Sequence, residues 1–229
     1  MRNLAAILFT GGLGFLLLVI ASQLDFGQPP MRVGQEILNV AAGEVGAANI
    51  VTSVLLAYRG IDTLGELSIL FAAAIAAGLV LGHRRADVPA DPDGGFILRA
   101  GADLLFPLLL VVGFYIILHG HLTPGGGFQG GVILAAAFFI GVLARPREGL
   151  NHAVISVIEG LAGAGFIGVG LWALFADGAF LKPMLDQGTL GDLVSAGTLP
   201  LLSLALGIKV GAELAGLMTS LSDTEAPEQ

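Results

Sequence analysis

Six ionisable residues fall inside long apolar stretches of this 229-residue chain: Glu44, Glu66, Asp103, Glu159, Lys209 and Glu213. Within a bilayer each costs several kcal/mol unless it is paired or hydrated. Lys209 is the most deeply placed, near the middle of the run Leu199–Thr219, and Glu213 follows it at i+4, within reach on the same helix face. Glu44 lies about two turns inside the run Ile37–Tyr58, beside Gly43 and Gly46, with Asn49 on the next turn. Neither Glu44 nor Glu159 has a cation three or four residues away, so each must find its partner on another helix, in water or in a bound proton. Such groups either line a hydrated path for protons or cations, or form neutral pairs that fix helix register.

Glu66 and Asp103 have local explanations. Thr63-Leu64-Gly65-Glu66 reads as a capping box, with Asp62 favourable at the same positive helix end. Arg59, Asp62 and Glu66 also share a face as an ion ladder. Asp103 follows Arg99 by four residues near the interface, as a snorkelling pair would.

A second group of polar residues surrounds a break. His119-Gly-His121-Leu-Thr-Pro124-Gly125-Gly126-Gly127-Phe-Gln-Gly-Gly131 separates the apolar runs Ala102–Leu118 and Val132–Ala144. Proline removes an amide donor and three glycines lose the most backbone entropy, so the chain turns here. The freed backbone groups require protein or water partners, because lipid offers none. No Gly-Lys-Ser/Thr follows, which excludes a phosphate loop. His119 and His121, with no third ligand nearby, make a poor metal site and suit interfacial hydrogen bonding or proton exchange better.

The elements that must position these groups are helices. Apolar residues make up 55% of the chain and charged ones 12%, about half the usual share of a soluble domain. Seven runs are of spanning length: Leu4–Ala21, Ile37–Tyr58, Leu64–Leu81, Arg99–Leu118, Gly127–Ala144, Ala153–Phe175 and Leu199–Thr219. The expected fold is an all-α, polytopic membrane helix bundle of about seven transmembrane helices. The first run, after Arg2, is longer than a signal h-region and is read as a retained helix. Charge, proline and glycine concentrate from His83 to Gly95, so residues 1–85 form a first module and 86–98 a linker. Residues 99–219 form a second module, and the acidic tail 220–229 is expected to be disordered.

Gly160, Ala164 and Gly168 recur every four residues and Gly207 and Gly211 form a GxxxG pair, the spacings that let helix backbones approach closely. Arg32, Arg84, Arg85, Arg99, Arg145 and Arg147 fall in loops on one side, against Arg2, Arg59 and Lys182 on the other. The first side should face the cytoplasm together with the carboxy terminus. Without cysteine there is no thiolate-held redox centre. No nucleophile lies beside a base, so no enzyme active site is expected, and no cofactor, metal or nucleic acid is implied.

Gly120–Phe128 with Gly130-Gly131, followed by Ala135–Phe139 and Gly207-Ile208-Lys209-Val210, closely resembles the MnhB (MrpB) family of the Mrp multisubunit cation/proton antiporters over Phe96–Ser220. The earlier stretch Asn49-Ile50-Val51 and Tyr58–Glu66 is similar to the carboxy-terminal part of the large MrpA protein of the same antiporters, and to a small subunit of membrane-bound hydrogenases. The resemblance implies an accessory component of a large inner-membrane assembly exchanging Na⁺ for H⁺, with other subunits and the lipid bilayer as partners. This chain would help form or seal the cation pathway. Glu44, Asp62, Glu66 and Lys209 are the pathway positions matching the family-like stretches, while Glu159 and Glu213 come from burial. A membrane-arm subunit of a redox-driven complex, such as an energy-converting hydrogenase or a complex I relative, is the competing function.

Overall fold

The computed structural model describes residues 2–23, 32–81, 94–146 and 150–224. Every regular element among them is helical. They are α1 (Arg2–Gln23), α2 (Arg32–Val45), α3 (Ile50–Thr52) running into a π-helical turn (Ser53–Tyr58), α4 (Gly60–Leu81), α5 (Phe96–Leu118), α6 (Gly127–Ala144), α7 (His152–Asp177) and α8 (Leu199–Thr224). Six of the described helices are long and apolar enough to cross a membrane, or seven if α2 and the bent segment after it count as one span. The chain is therefore an all-α, multi-pass membrane bundle.

Two compact units are distinguished, residues 1–39 and 40–229. In the first, no residue of α1 from Ala6 to Gln23 is buried, as in a helix facing lipid or another chain. The second holds every site described below. Its axis is α8, against which the π-helical turn, α4, α5, α6 and α7 all pack. Close approach of α6 to α8 depends on small residues: a Cβ on Gly131 would lie 2.8 Å from the Gly207 carbonyl, and one on Gly211 3.2 Å from the Gly131 carbonyl. The Gly207/Gly211 pair thus does the packing its spacing predicts. Gly160, Ala164 and Gly168 form an exposed stripe on α7, and a Cβ added at Gly160 or Gly168 would meet nothing within 4 Å among the described residues.

Three expectations are corrected at helix ends. The run Ile37–Tyr58 is not one helix: the chain leaves α2 at Val45, bends by 90° and resumes at Ile50. Gly46, at φ +74°, makes the turn that a side chain would resist, and Asn49 caps the new start by accepting from the amides of Val51 and Thr52. The capping box at Thr63 does not form, since α4 already begins at Gly60; the Thr63 hydroxyl instead donates to the Leu55 carbonyl at 2.7 Å. The carboxy-terminal helix runs on to Thr224, five residues into the expected tail, because Ser220–Thr224 continues the α8 turns. Of the expected linker, Phe96–Leu98 is the first turn of α5 and 86–93 lie outside the described residues, as do Arg84, Arg85, Arg147 and 225–229.

Candidate ion-path site

The two chain breaks fit together. His119 ends α5 and Gly126, at φ +123°, leads into α6, so the Pro-Gly segment is the turn its composition requires. Its freed carbonyls are taken up by the other break. Asn49 Nδ2 donates to the Gly120 and Thr123 carbonyls at 2.8 Å each, and Thr52 Oγ1 to Gly120 at 2.6 Å. The Asn49 amide adds a bond to the His121 carbonyl at 2.9 Å. The sequence places Asn49 beside Glu44 as a polar residue within a span; the fold makes it the clamp that closes the signature loop. The carbonyls of Gly120, His121 and Thr123, freed at the end of a helix, are thus satisfied by protein.

The connection between α7 and α8 covers this junction. Gln187 donates to the Glu44 carbonyl and accepts from the Ala196 amide at 2.9 Å. His121 is fully buried beneath this connection, with Nε2 3.4 Å from the Asp192 carbonyl and Nδ1 without a partner among the described residues. Burial is the largest influence on it and holds the imidazole below the ordinary histidine range, against the opposing pull of the Asp192 carbonyl. His119 stacks on Tyr115, ring centres 4.1 Å apart, and its Nδ1 lies 2.9 Å from the Tyr115 carbonyl.

The charged residues divide into two sets. Glu159 of α7 and Lys209 and Glu213 of α8 come together: Lys209 Nζ donates to Glu159 Oε1 at 2.7 Å and to Glu213 Oε2 at 2.8 Å. The ammonium also lies 4.8 Å from the ring centre of Phe71 on α4, a cation–π contact. Lys209 follows the start of α8 by ten residues, which puts it about 15 Å along the helix, half the thickness of a hydrocarbon core. Glu213 is almost completely buried and its Oε1 has no hydrogen-bond partner among the described residues.

The other acidic residues are elsewhere. Glu44 is exposed and accepts from the Tyr58 hydroxyl at 2.6 Å, so within this chain it meets a phenol of the π-helical turn. Asp62 takes a 2.6 Å bond from Arg59 Nε at the surface, the first rung of the expected ladder, and Glu66 is exposed on α4. Asp103 is gripped by both oxygens, at 2.8 and 2.9 Å, by Arg145 at the end of α6, which displaces the expected pairing with Arg99.

Two clefts meet at the Lys209 cluster. One, of about 450 Å³, runs between α4 and α7 from His152 past Ser156 and Ile75 to Glu159 and Glu213. The other, of about 260 Å³, runs from Leu64 and Ile167 past Ser68 to Glu159 and Lys209. Phe71 and Glu159 line both. Because α4 and α7 run antiparallel along this groove, the clefts approach the cluster from opposite ends of the bundle. Sequence reasoning misses Phe71, His152 and Ser156. The signal for the last two is present, since His152, Ser156 and Glu159 share one helix face at spacings of four and three.

A multi-pass bundle with a lysine–carboxylate cluster part-way along α8, bordered by two clefts, defines a class: a membrane component with a buried ionic junction. The model of domains related to the MnhB subunit of Na⁺/H⁺ antiporter matches residues 97–216, which takes in the signature loop, Glu159, Lys209 and Glu213. The chain belongs to this MnhB-related family. It is 25% identical to a Rhizobium meliloti protein described as a probable A/B component of a K⁺/H⁺ antiporter, over 75% of this chain and 20% of that protein. A chain of the membrane-bound sulfane sulfur reductase, an archaeal respiratory membrane complex, superposes with a TM-score of 0.78 at 39% identity, covering 96% of this chain and 97% of that one. A chain of the Mrp complex from Dietzia sp. DQ12-45-1b superposes with a TM-score of 0.74 at 27% identity, covering all of this chain and 26% of that one. The present chain thus spans about a fifth of the Rhizobium protein and a quarter of the Dietzia chain.

Proposed function

We propose that this chain is an accessory membrane subunit of a multisubunit cation/proton antiporter, a transporter component rather than an enzyme, and that the Lys209 cluster lies on the ion path. The supporting observation is the meeting of two clefts at Glu159, beside a mid-helix ammonium shared with Glu213. A pair that only fixed register would need no cleft beside it. Na⁺ is the proposed exchanged cation, and the partners are the other proteins of the assembly and the lipid around them. The A/B designation of the Rhizobium relative favours a two-module chain, with the MrpA-like part before residue 86 and the MrpB-like part after 98.

Orientation follows from the arginine bias, which would put the carboxy terminus and the His152 cleft on the cytoplasmic side. A reporter fused after Gln229 should be active only if its folding compartment is the cytoplasm; activity of a periplasm-specific reporter there would reverse the assignment.

The near-complete match in both lengths with a chain of the sulfane sulfur reductase complex favours a second reading, in which the same ion path serves a redox-driven assembly. One experiment separates them. The intact complex is purified, its components identified, and Na⁺-dependent proton efflux measured in vesicles with and without this chain. Exchange that requires the chain supports the first reading. Ion movement only on addition of a reductant supports the second, and robust exchange by this chain alone defeats the accessory role.

A further inference from the structure

The Lys209 cluster contains two carboxylates and one ammonium. With all three ionised it carries one net negative charge in a place where Glu213 is almost completely shielded from water. An uncompensated charge in such a place is strongly disfavoured. Glu213 Oε2 is occupied by Lys209, but Oε1 has no partner among the described residues, and Glu213 lines the larger cleft. An ionised carboxylate oxygen left bare in a protein interior is the exception that demands an explanation.

We infer that Glu213 Oε1 is a proton-exchange site, loaded and unloaded by water in the cleft that opens toward His152. This rests on the ion-path reading and names the atom that carries its proton. Loading forms one O–H bond on Oε1 as a hydronium in the cleft gives up its proton and becomes water, and the cluster passes from a net charge of −1 to neutrality. Unloading is the reverse. Lys209 keeps its bonds to both carboxylates throughout, and so holds Glu213 in place while its charge changes.

The titratable groups that face Glu213 come from two helices. On α8 there is Lys209, and on α7 there are Glu159 and, at the far end of the cleft, His152. The part of α4 along the cleft contributes Phe71, Ala74, Ile75 and Gly78, none titratable, and α6 carries no titratable residue. Arg99, Asp103 and Tyr115 of α5 line no part of that cleft, and Tyr58 of the π-helical turn is bound to Glu44. The odd proton therefore has two carboxylates to choose from. Glu159 Oε1 is bonded to Lys209 and the side chain is partly exposed, which leaves the bare, buried oxygen of Glu213 as its seat.

The test is carbodiimide labelling of the intact purified complex over a pH series, with the modified residue located by mass spectrometry. An apolar carbodiimide reacts with a protonated carboxyl group in a water-poor site. The label should fall on Glu213, decline as pH rises, and be suppressed several-fold in Glu159→Gln, because removing one carboxylate leaves Lys209 and Glu213 already neutral. Label on Glu159 instead, label on Glu213 that ignores pH, or label on neither overturns the inference. Glu159→Gln labelling equal to wild type overturns the charge count even where the site is right. The experiment does not depend on transport: the expected labelling in a complex that exchanges no ions would sink the antiporter reading and leave this site standing.

Discussion

Replacing Lys209 with methionine keeps the length of the side chain and most of its packing but deletes the charge. Two short charge-assisted bonds, at 2.7 and 2.8 Å, and the contact over Phe71 disappear together. What remains is Glu213, whose side chain is 2% exposed, and Glu159, at 18%, both without a cation. Removing one partner of a buried ion pair costs roughly 3–5 kcal/mol, mostly as the stranded charge. Glu159 borders both clefts and can hydrate, so the loss should sit at the lower end, about 3 kcal/mol, or on the order of 100-fold in the folded-to-unfolded ratio. Glu213→Gln in the same chain removes the buried charge, and the pair of changes should recover most of that loss, a coupling of about 2 kcal/mol. Recovery will be incomplete, because Glu159 still lacks its ammonium. The assay is the yield and thermal inactivation of the complex for both single changes and the pair. Lys209→Met with wild-type stability, or a pair no more stable than Lys209→Met alone, would refute the reasoning.

Two further outcomes concern the junction at the signature loop. Asn49→Ala loses two side-chain bonds to the loop and the cap of α3, about 1 kcal/mol each, and should cut complex assembly; Gly126→Leu, which forces leucine to φ +123°, should do so more severely. Limited proteolysis reads both, and normal protection of the loop in Asn49→Ala would remove the clamp from the account. For His121 the folded state disfavours the charged form, so below the ordinary value of 6.5 the unfolded chain binds more protons than the folded one. Stability contributed by the buried neutral ring is thus present at higher pH and lost as pH falls through about 6.5, and His121→Asn should flatten the thermal-stability profile there; an unchanged profile would count against it.

What the sequence makes legible and what it hides divide along physical lines. Lys209 and Glu213 can be paired from spacing alone, because i and i+4 meet on any helix. Glu159 can be identified as needing a cation but not assigned one, since its partner is fifty residues away and reached only when α7 docks on α8. The break at Gly46–Asn49 is hidden for a different reason: apolar residues continue on both sides of it, and Asn49 reads as a polar intruder until Gly120 and Thr123 are seen to need it. The Arg59–Asp62 pair is local and legible, while Arg145 reaches Asp103 across forty-two residues and displaces a plausible local partner. The Thr63 capping box is a correct motif overruled by an earlier helix start at Gly60.

The most direct test of the central claim is exchange by the assembled complex carrying Glu213→Gln. The substitution keeps the shape and the bond that can be accepted from Lys209, removes the ionisable group, and leaves Glu159 to balance the ammonium. Complexes are matched for assembly, reconstituted in vesicles, and followed for Na⁺-dependent proton efflux. The account predicts an assembled complex whose exchange is abolished. Exchange at the wild-type rate in that complex would contradict it and reduce the Lys209 cluster to a device of helix packing.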